Sequence, residues 1–158
     1  MAKQAETKLI AKNKKAFFDY EILDKYEAGL VLKGSEIKSA RNGGVSLKEG
    51  YVKIIEGEAW LTQTRIAPYK QSGEYFNHDP FRDRKLLLHR REIDSIVGRV
   101  QRKGLTILPL YMYIKGNRAK LEIGLAKSKK KYDKKDDIIK RELDKEARRE
   151  VKMRTRSQ

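Results

Sequence analysis

The apolar positions of this chain change rhythm several times, and each change marks a predicted element. Near the start, Phe18, Tyr20 and Ile22 alternate with Phe17, Asp19 and Glu21, and a period of two predicts a strand. A turn is expected around Glu27-Ala28-Gly29, ahead of Leu30-Val31-Leu32. Ser35 is placed to cap a short helix through about Arg41, which Gly43-Gly44 would stop. Tyr51–Ile55 and Ala59–Ile66, joined by Glu56-Gly57-Glu58, read as a hairpin.

Residues 69–85 carry Gly73, Asn77, Asp79 and Pro80 without a clear period and read as a long loop. His89, Ile93, Ile96, Val97 and Val100 then recur at i, i+4, i+7, i+8 and i+11, one apolar face of a helix that Gly104 is placed to end. Two strands close this part. Leu110, Met112 and Ile114 alternate with Tyr111 and Tyr113; Leu121, Ile123 and Leu125 alternate with Lys120, Glu122 and Gly124. Pro109 lacks a ladder donor, so a bulge or an edge is expected there. The pattern predicts a mainly β fold with accessory helices, an oligonucleotide-binding-type antiparallel β-barrel. A two-layer α+β sheet is the alternative. The expected division is a flexible basic arm over residues 1–12, the barrel over 13–126 and a basic tail over 127–158.

In that tail the only apolar stripe is Ile139, Leu143, Ala147 and Val151, too narrow to join a core. Asp136/Lys140, Asp137/Arg141 and Asp144/Arg148 are i,i+4 pairs with the acid N-terminal, the better orientation. Arg148, Arg149, Lys152, Arg154 and Arg156 gather near the end, as the helix dipole prefers. A lone helix of this size is marginal in water. The expectation is therefore a tail disordered when free and helical when bound.

Charge sharpens the picture. The formal net charge is +16, from 38 Lys+Arg against 22 Asp+Glu, and residues 127–158 hold 14 of the former against 7 of the latter. Self-repulsion on that scale is normally neutralised by a polyanion. Anionic membrane would call for a broad apolar helix face or a lipidation signal, and neither is in the sequence. Nucleic acid is the expected partner. The chain has no cysteine, which removes disulfides, thiolate metal sites and thiol nucleophiles together. No apolar run of signal-peptide or membrane-span length occurs, so a cytoplasmic protein is expected. His78 and His89 lack a metal-binding spacing, no Walker-type loop is present, and Pro80, Arg82 and Arg84 crowd Asp79 and Asp83. No enzyme, metal or cofactor is expected.

Candidate RNA contacts follow from residue type. Asn13, Lys14 and Lys15 adjoin Phe17 and Phe18, and charge beside aromatics suits both backbone and base; a solvated arm and a buried Phe18 are the plainer readings. Glu27 is an acid in a basic protein and could accept from exocyclic base amines, although a turn residue or a partner for Lys25 or Lys33 would serve as well. Arg82, Arg84 and Lys85 are expected on phosphates. Tyr20, Lys33, Lys38 and Arg41 complete the set, while Tyr111 and Tyr113 are expected to pack.

Several segments are specific together: Asn13-Lys14-Lys15-Ala16; Tyr26-Glu27-Ala28-Gly29; Leu32 through Ser39; Ile66-Ala67-Pro68; Asp79-Pro80; Arg84 through His89; Gly124-Leu125-Ala126-Lys127; and Tyr132-Asp133-Lys134-Lys135. In this order and spacing they resemble the small protein B (SmpB) family from about Lys12 to Arg149. The resemblance implies a barrel with accessory helices that grips the tRNA-like domain of transfer-messenger RNA. It implies delivery to stalled ribosomes with the aminoacyl-tRNA-carrying GTPase, and a tail that probes the empty mRNA channel beside the decoding centre. It places Asn13 and Glu27 on RNA. Lys127, Lys129, Lys130, Asp133, Lys134 and Lys135, with Tyr132 among them, fall on the ribosome-contacting tail. Phe18 stands where the family often has histidine, and Lys135 where it usually has arginine, which loses a planar bidentate donor. A monomer is expected. A general RNA chaperone or ribosome-associated structural protein is the alternative.

Overall fold

The computed structural model describes residues 6–129 and 131–156, with side chains in the second stretch at 135 and 138–149. Two compact units divide the chain at residues 127 and 128. The first contains β1 (Thr7–Lys12), α1 (Lys14–Asp19), β2 (Tyr20–Leu30), α2 (Gly34–Arg41), β3 (Val45–Ser46), β4 (Tyr51–Ile55) and β5 (Glu58–Thr62). It continues with β6 (Arg65–Ile66), a 3-10 turn at Lys70–Ser72, β7 (Arg84–Leu87), α3 (Arg90–Lys103), β8 (Thr106–Lys115) and β9 (Arg118–Ser128). α4 (Lys131–Arg156) follows as one helix.

Seven strands form one sheet in the order β1-β8-β9-β2-β7-β5-β4, and β3 pairs with β6 in a small second sheet. The mainly β expectation holds. Closure does not: β1 and β4 are the two edges of the large sheet, so it is open rather than a barrel. The sheet nevertheless curls, bringing β4 Cα atoms within 8 Å of β8 without a ladder between them.

Three local expectations are corrected near the start. Thr7–Lys12, expected in a flexible arm, is a strand on β8, with Thr7 opposite Lys115 and Lys12 opposite Tyr111. The segment around Phe18 begins as a helix because Asn13 caps it, its Oδ1 accepting from the Ala16 N–H at 3.1 Å. The strand starts only at Tyr20 and runs through the expected turn, placing Gly29 opposite Leu87 and Leu30 opposite Leu86. Further on, Arg84 and Lys85, expected at the end of the long loop, begin a strand that runs to Leu87.

Elsewhere the periodicity is a sound guide. The β4/β5 hairpin turns on Glu56-Gly57, both at positive φ (50° and 76°), the backbone of a tight two-residue turn in which glycine is at ease. α3 ends at Gly104, whose φ of 60° lets its N–H reach the Val100 carbonyl. The bulge expected at Pro109 lies between Pro109 and Tyr111 and has a large consequence. One extra residue in β8 shifts the alternation, so Met112 joins the main core while Leu108 and Leu110 pack on the other face. There Ala16 of α1 covers Leu108, Leu110 and Ala126, with Phe17, Tyr20, Ile22 and Tyr111 around them. The main core on the inner face holds Leu61, Leu86, Ile96, Met112, Leu121, Ile123 and Leu125.

An ion pair without solvent exposure joins α2 to β7. Arg84 Nε donates to Glu36 Oε2 at 2.5 Å, and both side chains are 0% exposed. The same guanidinium reaches the Thr64 carbonyl at 2.6 Å and the Pro80 carbonyl at 3.1 Å. Glu36 Oε1 accepts from Arg82 at 2.5 Å and from the Lys33 N–H at 2.8 Å, so one carboxylate also caps α2. Ser35, the expected cap, instead lies inside α2, its Oγ 2.8 Å from His78 Nδ1.

Burial pushes the Glu36 carboxyl up, but the bonds from Arg82, Lys33 and Arg84 outweigh it and hold it below the usual carboxylate value. A depressed folded value means the stabilisation is complete above the unfolded value and is lost as pH falls through the folded one. Glu36→Ala, which leaves Arg84 charged and alone, is expected to cost about 3–5 kcal/mol in urea unfolding at pH 7. Its stability should also respond less than the parent's to acidification below the ordinary carboxylate range. A small loss at pH 7 would remove the pair from its central place.

Candidate nucleic-acid interface

The outer face of β1, β8, β9 and β2 brings together side chains that lie far apart in sequence. Lys12 sits opposite Tyr111, and Tyr111 opposite Glu122. Lys25 of β2 extends to Glu122, with Nζ 3.7 Å from Oε1. The next row runs from Leu9 to Tyr113 to Lys120, and Tyr113 donates its phenol hydrogen to Glu27 of β2. The first row meets α1 at Phe17. The Phe17 and Tyr111 rings are 5.5 Å apart and tilted; Lys12 Nζ stands 5.3 Å and 5.7 Å from their centroids, and Lys25 Nζ 5.9 Å from Phe17. Such cation–ring contacts at partly exposed sites are worth about 0.5–1 kcal/mol each, so these ammonium groups can be redirected at small cost.

Tyr111 and Tyr113, expected to pack, are half-buried and border this face. Burial first, and then the Glu27 carboxylate, pushes the Tyr113 phenol well above its usual value. Glu27 is exposed and hydrogen-bonds a phenol rather than Lys25 or Lys33. None of Lys12, Lys25 and Lys120 stands out as an RNA contact in the sequence; the register puts them beside the rings.

The other expected residues fall into separate groups. Lys14 is exposed, and Lys15 pairs with Glu49 at 3.2 Å across exposed surface. Phe18 and Tyr20 are half-buried. Lys15 and Tyr20 line a polar recess of about 420 Å³ with Asp19, Lys48 and Tyr51. Lys33, Lys38 and Arg41 are exposed on or beside α2, with Lys38 Nζ 5.7 Å from the Tyr69 ring. Lys85 pairs loosely with Glu58 at 3.4 Å. Arg82 is largely committed to Glu36, its Nε buried without a hydrogen-bond acceptor.

Two residues expected on RNA lie in the interior. Arg84 is fully buried on Glu36 and cannot reach a phosphate. Asn13 is 3% exposed, and its Nδ2 donates to the Leu47 and Pro109 carbonyls at 3.2 and 2.9 Å. Its side chain sets α1 against β8, so any effect on RNA passes through the position of Phe17 and its neighbours.

In the second unit Lys135 is exposed on α4; Lys127 is exposed and Lys129 half-buried at the end of β9 and just beyond. Lys130 lies outside the described residues, as do the side chains of Tyr132, Asp133 and Lys134. No group of three metal-ligating side chains occurs among the described residues.

Comparison with known proteins gives a consistent result. The SmpB protein family matches residues 10–153. The chain is 58% identical over 149 residues to the SsrA-binding protein of Roseiflexus sp. (strain RS-1), covering 94% of both. It is 52% identical over 149 residues to that of Enterococcus faecalis (strain ATCC 700802 / V583), covering 94% of this chain and 96% of the relative. A chain in the solved structure "tmRNA-SmpB: a journey to the center of the bacterial ribosome" is similar with a TM-score of 0.64 and 46% identity, over 77% of this chain and 85% of that one.

The Tyr113–Glu27 contact has a spectroscopic consequence. In an alkaline titration of the eight tyrosines, one phenol should stay protonated beyond the range in which ordinary tyrosines ionise, at about pH 10. Tyr113→Phe should delete that late component, and Glu27→Gln should shift it down. A titration unchanged by both substitutions would contradict the contact.

Proposed function

The chain belongs to the SmpB protein family, and from that premise we propose that its outer sheet face holds the tRNA-like domain of transfer-messenger RNA. The protein binds this RNA and accompanies it to stalled ribosomes, where trans-translation releases the ribosome and tags the unfinished peptide. Its contribution is binding rather than chemistry, and its place of work is the cytoplasm, where the ribosomes are.

The observation that carries the reading is the set of side chains spanning β1, α1, β8, β9 and β2. Lys12 and Lys25 can meet phosphates while Phe17, Tyr111 and Tyr113 offer ring surface to bases. Glu27 supplies an acceptor for a base amine, and Tyr113 fixes its direction. Lys14, Lys15, Phe18 and Tyr20 extend the face around α1. Lys33, Lys38 and Arg41 add a second cationic strip on α2, and Lys85 a further charge. Asn13 and Arg84 support these surfaces from within.

The tail performs a separate task. Lys127, Lys129, Lys130, Tyr132, Asp133, Lys134 and Lys135 meet the small subunit near the decoding centre. The rest of α4 enters the mRNA channel only when no message fills it, and that contact stabilises its helix. The GTPase that carries aminoacyl-tRNA is reached indirectly, through the RNA.

Truncation after Ala126 tests this division. Affinity for the isolated tRNA-like domain should stay within about threefold, while peptide tagging on stalled ribosomes should be lost. Lys12→Ala/Lys25→Ala should instead weaken binding to the domain itself and lower the salt slope of that binding by about two. Equal affinity of the parent protein for the tRNA-like domain and for scrambled RNA of the same length would favour a general RNA chaperone and overturn the reading.

A further inference from the structure

The loop between β6 and β7 carries the two most exposed large apolar side chains among the described residues, Tyr75 at 97% and Phe76 at 84%. Aromatic rings this bare are an unusual expense for a soluble surface, and neither ring supports the core. The loop beneath them is firmly rooted. Asn77 Oδ1 accepts from the Tyr69 N–H at 3.0 Å, and its Nδ2 donates to the Tyr69 and Gly73 carbonyls at 2.8 and 3.0 Å, bracing the tip across its own base. The next residue, His78, is buried, with Nδ1 2.8 Å from Ser35 Oγ and Nε2 2.8 Å from the Ile66 carbonyl. A base held on both sides presents the rings at reduced entropic cost on binding.

The root also fixes what stands beside the base of the loop. Ser35 belongs to α2, and Lys38 of α2 places its ammonium 5.7 Å from the Tyr69 ring at the start of the loop. Lys33, Lys38 and Arg41 are all exposed. Within the loop Glu74 and Asp79 flank the aromatic tip and Lys70 lies near its start, so positive charge comes from Lys70 and from α2. Bare rings on a loop whose base is tied to a cationic helix suit unpaired nucleotides, whose bases stack while phosphates further along take the ammonium groups.

We infer that Tyr75 and Phe76 form a stacking finger that takes unpaired bases of a structured RNA, with Lys33, Lys38 and Arg41 of α2 holding the adjoining phosphates. The inference rests on the proposed RNA-binding role and adds a second contact, separate from the outer sheet face. The RNA is either the transfer-messenger RNA or ribosomal RNA, and the test separates them.

The full chain and its Tyr75→Ala/Phe76→Ala variant are titrated against the isolated tRNA-like domain and, separately, against vacant ribosomes carrying that domain. The finger requires a loss of about tenfold or more on one of the two, an unchanged salt slope because no charge is removed, and recovery in Tyr75→Trp/Phe76→Trp. A photoreactive phenylalanine analogue at position 76 should crosslink to RNA of the same partner. Affinities within twofold on both targets, or crosslinks only to ribosomal protein, overturn the finger and leave the sheet-face reading standing. Failure of the parent protein to prefer the tRNA-like domain sinks both.

Discussion

Glu36 and Arg84 are buried together, and much of the surface described above is positioned by their meeting. Two charges taken from water cost several kcal/mol each, and their attraction repays this only if the remaining hydrogen-bonding capacity is filled. It is filled here. Arg84 divides its fork among Glu36, Thr64 and Pro80; Glu36 divides its oxygens among Arg84, Arg82 and the first turn of α2. One network thereby fixes the start of α2, the link between β5 and β6 and the return of the long loop into β7. A hydrophobic substitute could match the volume but would specify none of these partners. Both the cationic strip of α2 and the aromatic loop rooted at Ser35 inherit their places from it.

On the surface the same charges behave differently. Lys15–Glu49, Lys53–Asp83 and Lys85–Glu58 are pairs at 3.2 to 3.4 Å between largely exposed side chains. Such pairs contribute between nothing and about 1 kcal/mol. Lys12 rests over two rings, and Lys25 divides its ammonium between the Phe17 ring and a loose 3.7 Å contact with Glu122. A protein with a net charge of +16 thus keeps its exposed cations in shallow local minima. A phosphate can capture them without breaking anything on which the fold relies, and the interior pair stays out of the exchange. The division between committed and available charge is set by burial, not residue type.

That division explains which parts were legible in the sequence. β8, β9, α3 and the β4/β5 hairpin were readable because each has one face in the core and one outside, so their periods survive. β1 was not, since Thr7–Lys12 is an edge strand with only Ile10 and Ala11 half-buried. The alternation of Phe18, Tyr20 and Ile22 was misleading because it crosses the boundary between α1 and β2, which Asn13 sets through its cap. Arg84 looked like a phosphate ligand because its carboxylate lies 48 residues away, a distance local pattern cannot bridge. The useful lysines beside Phe17 and Tyr111 were hidden for the same reason: cross-strand register makes them neighbours. Closure of the sheet depends on how far β4 travels toward β1, and no local signal records that.

The basic tail obeys a different logic from the folded unit. α4 spans 26 residues, about 39 Å at helical rise, yet Ile138, Ile139 and Leu143 remain 43%, 54% and 59% exposed. A stripe that narrow supplies little burial, and the i,i+4 acid–base spacings and late cations written in the sequence are each worth only tenths of a kcal/mol. A helix held by such terms is sensitive to its surroundings in a way a packed one is not. Bringing it to a polyanion relieves the repulsion among its cations and adds directly to helix stability, so contact and helix strength are coupled. In the proposed role this sensitivity would let the tail report whether a channel is empty, because an occupied channel would deny it the anionic wall that stabilises the helix.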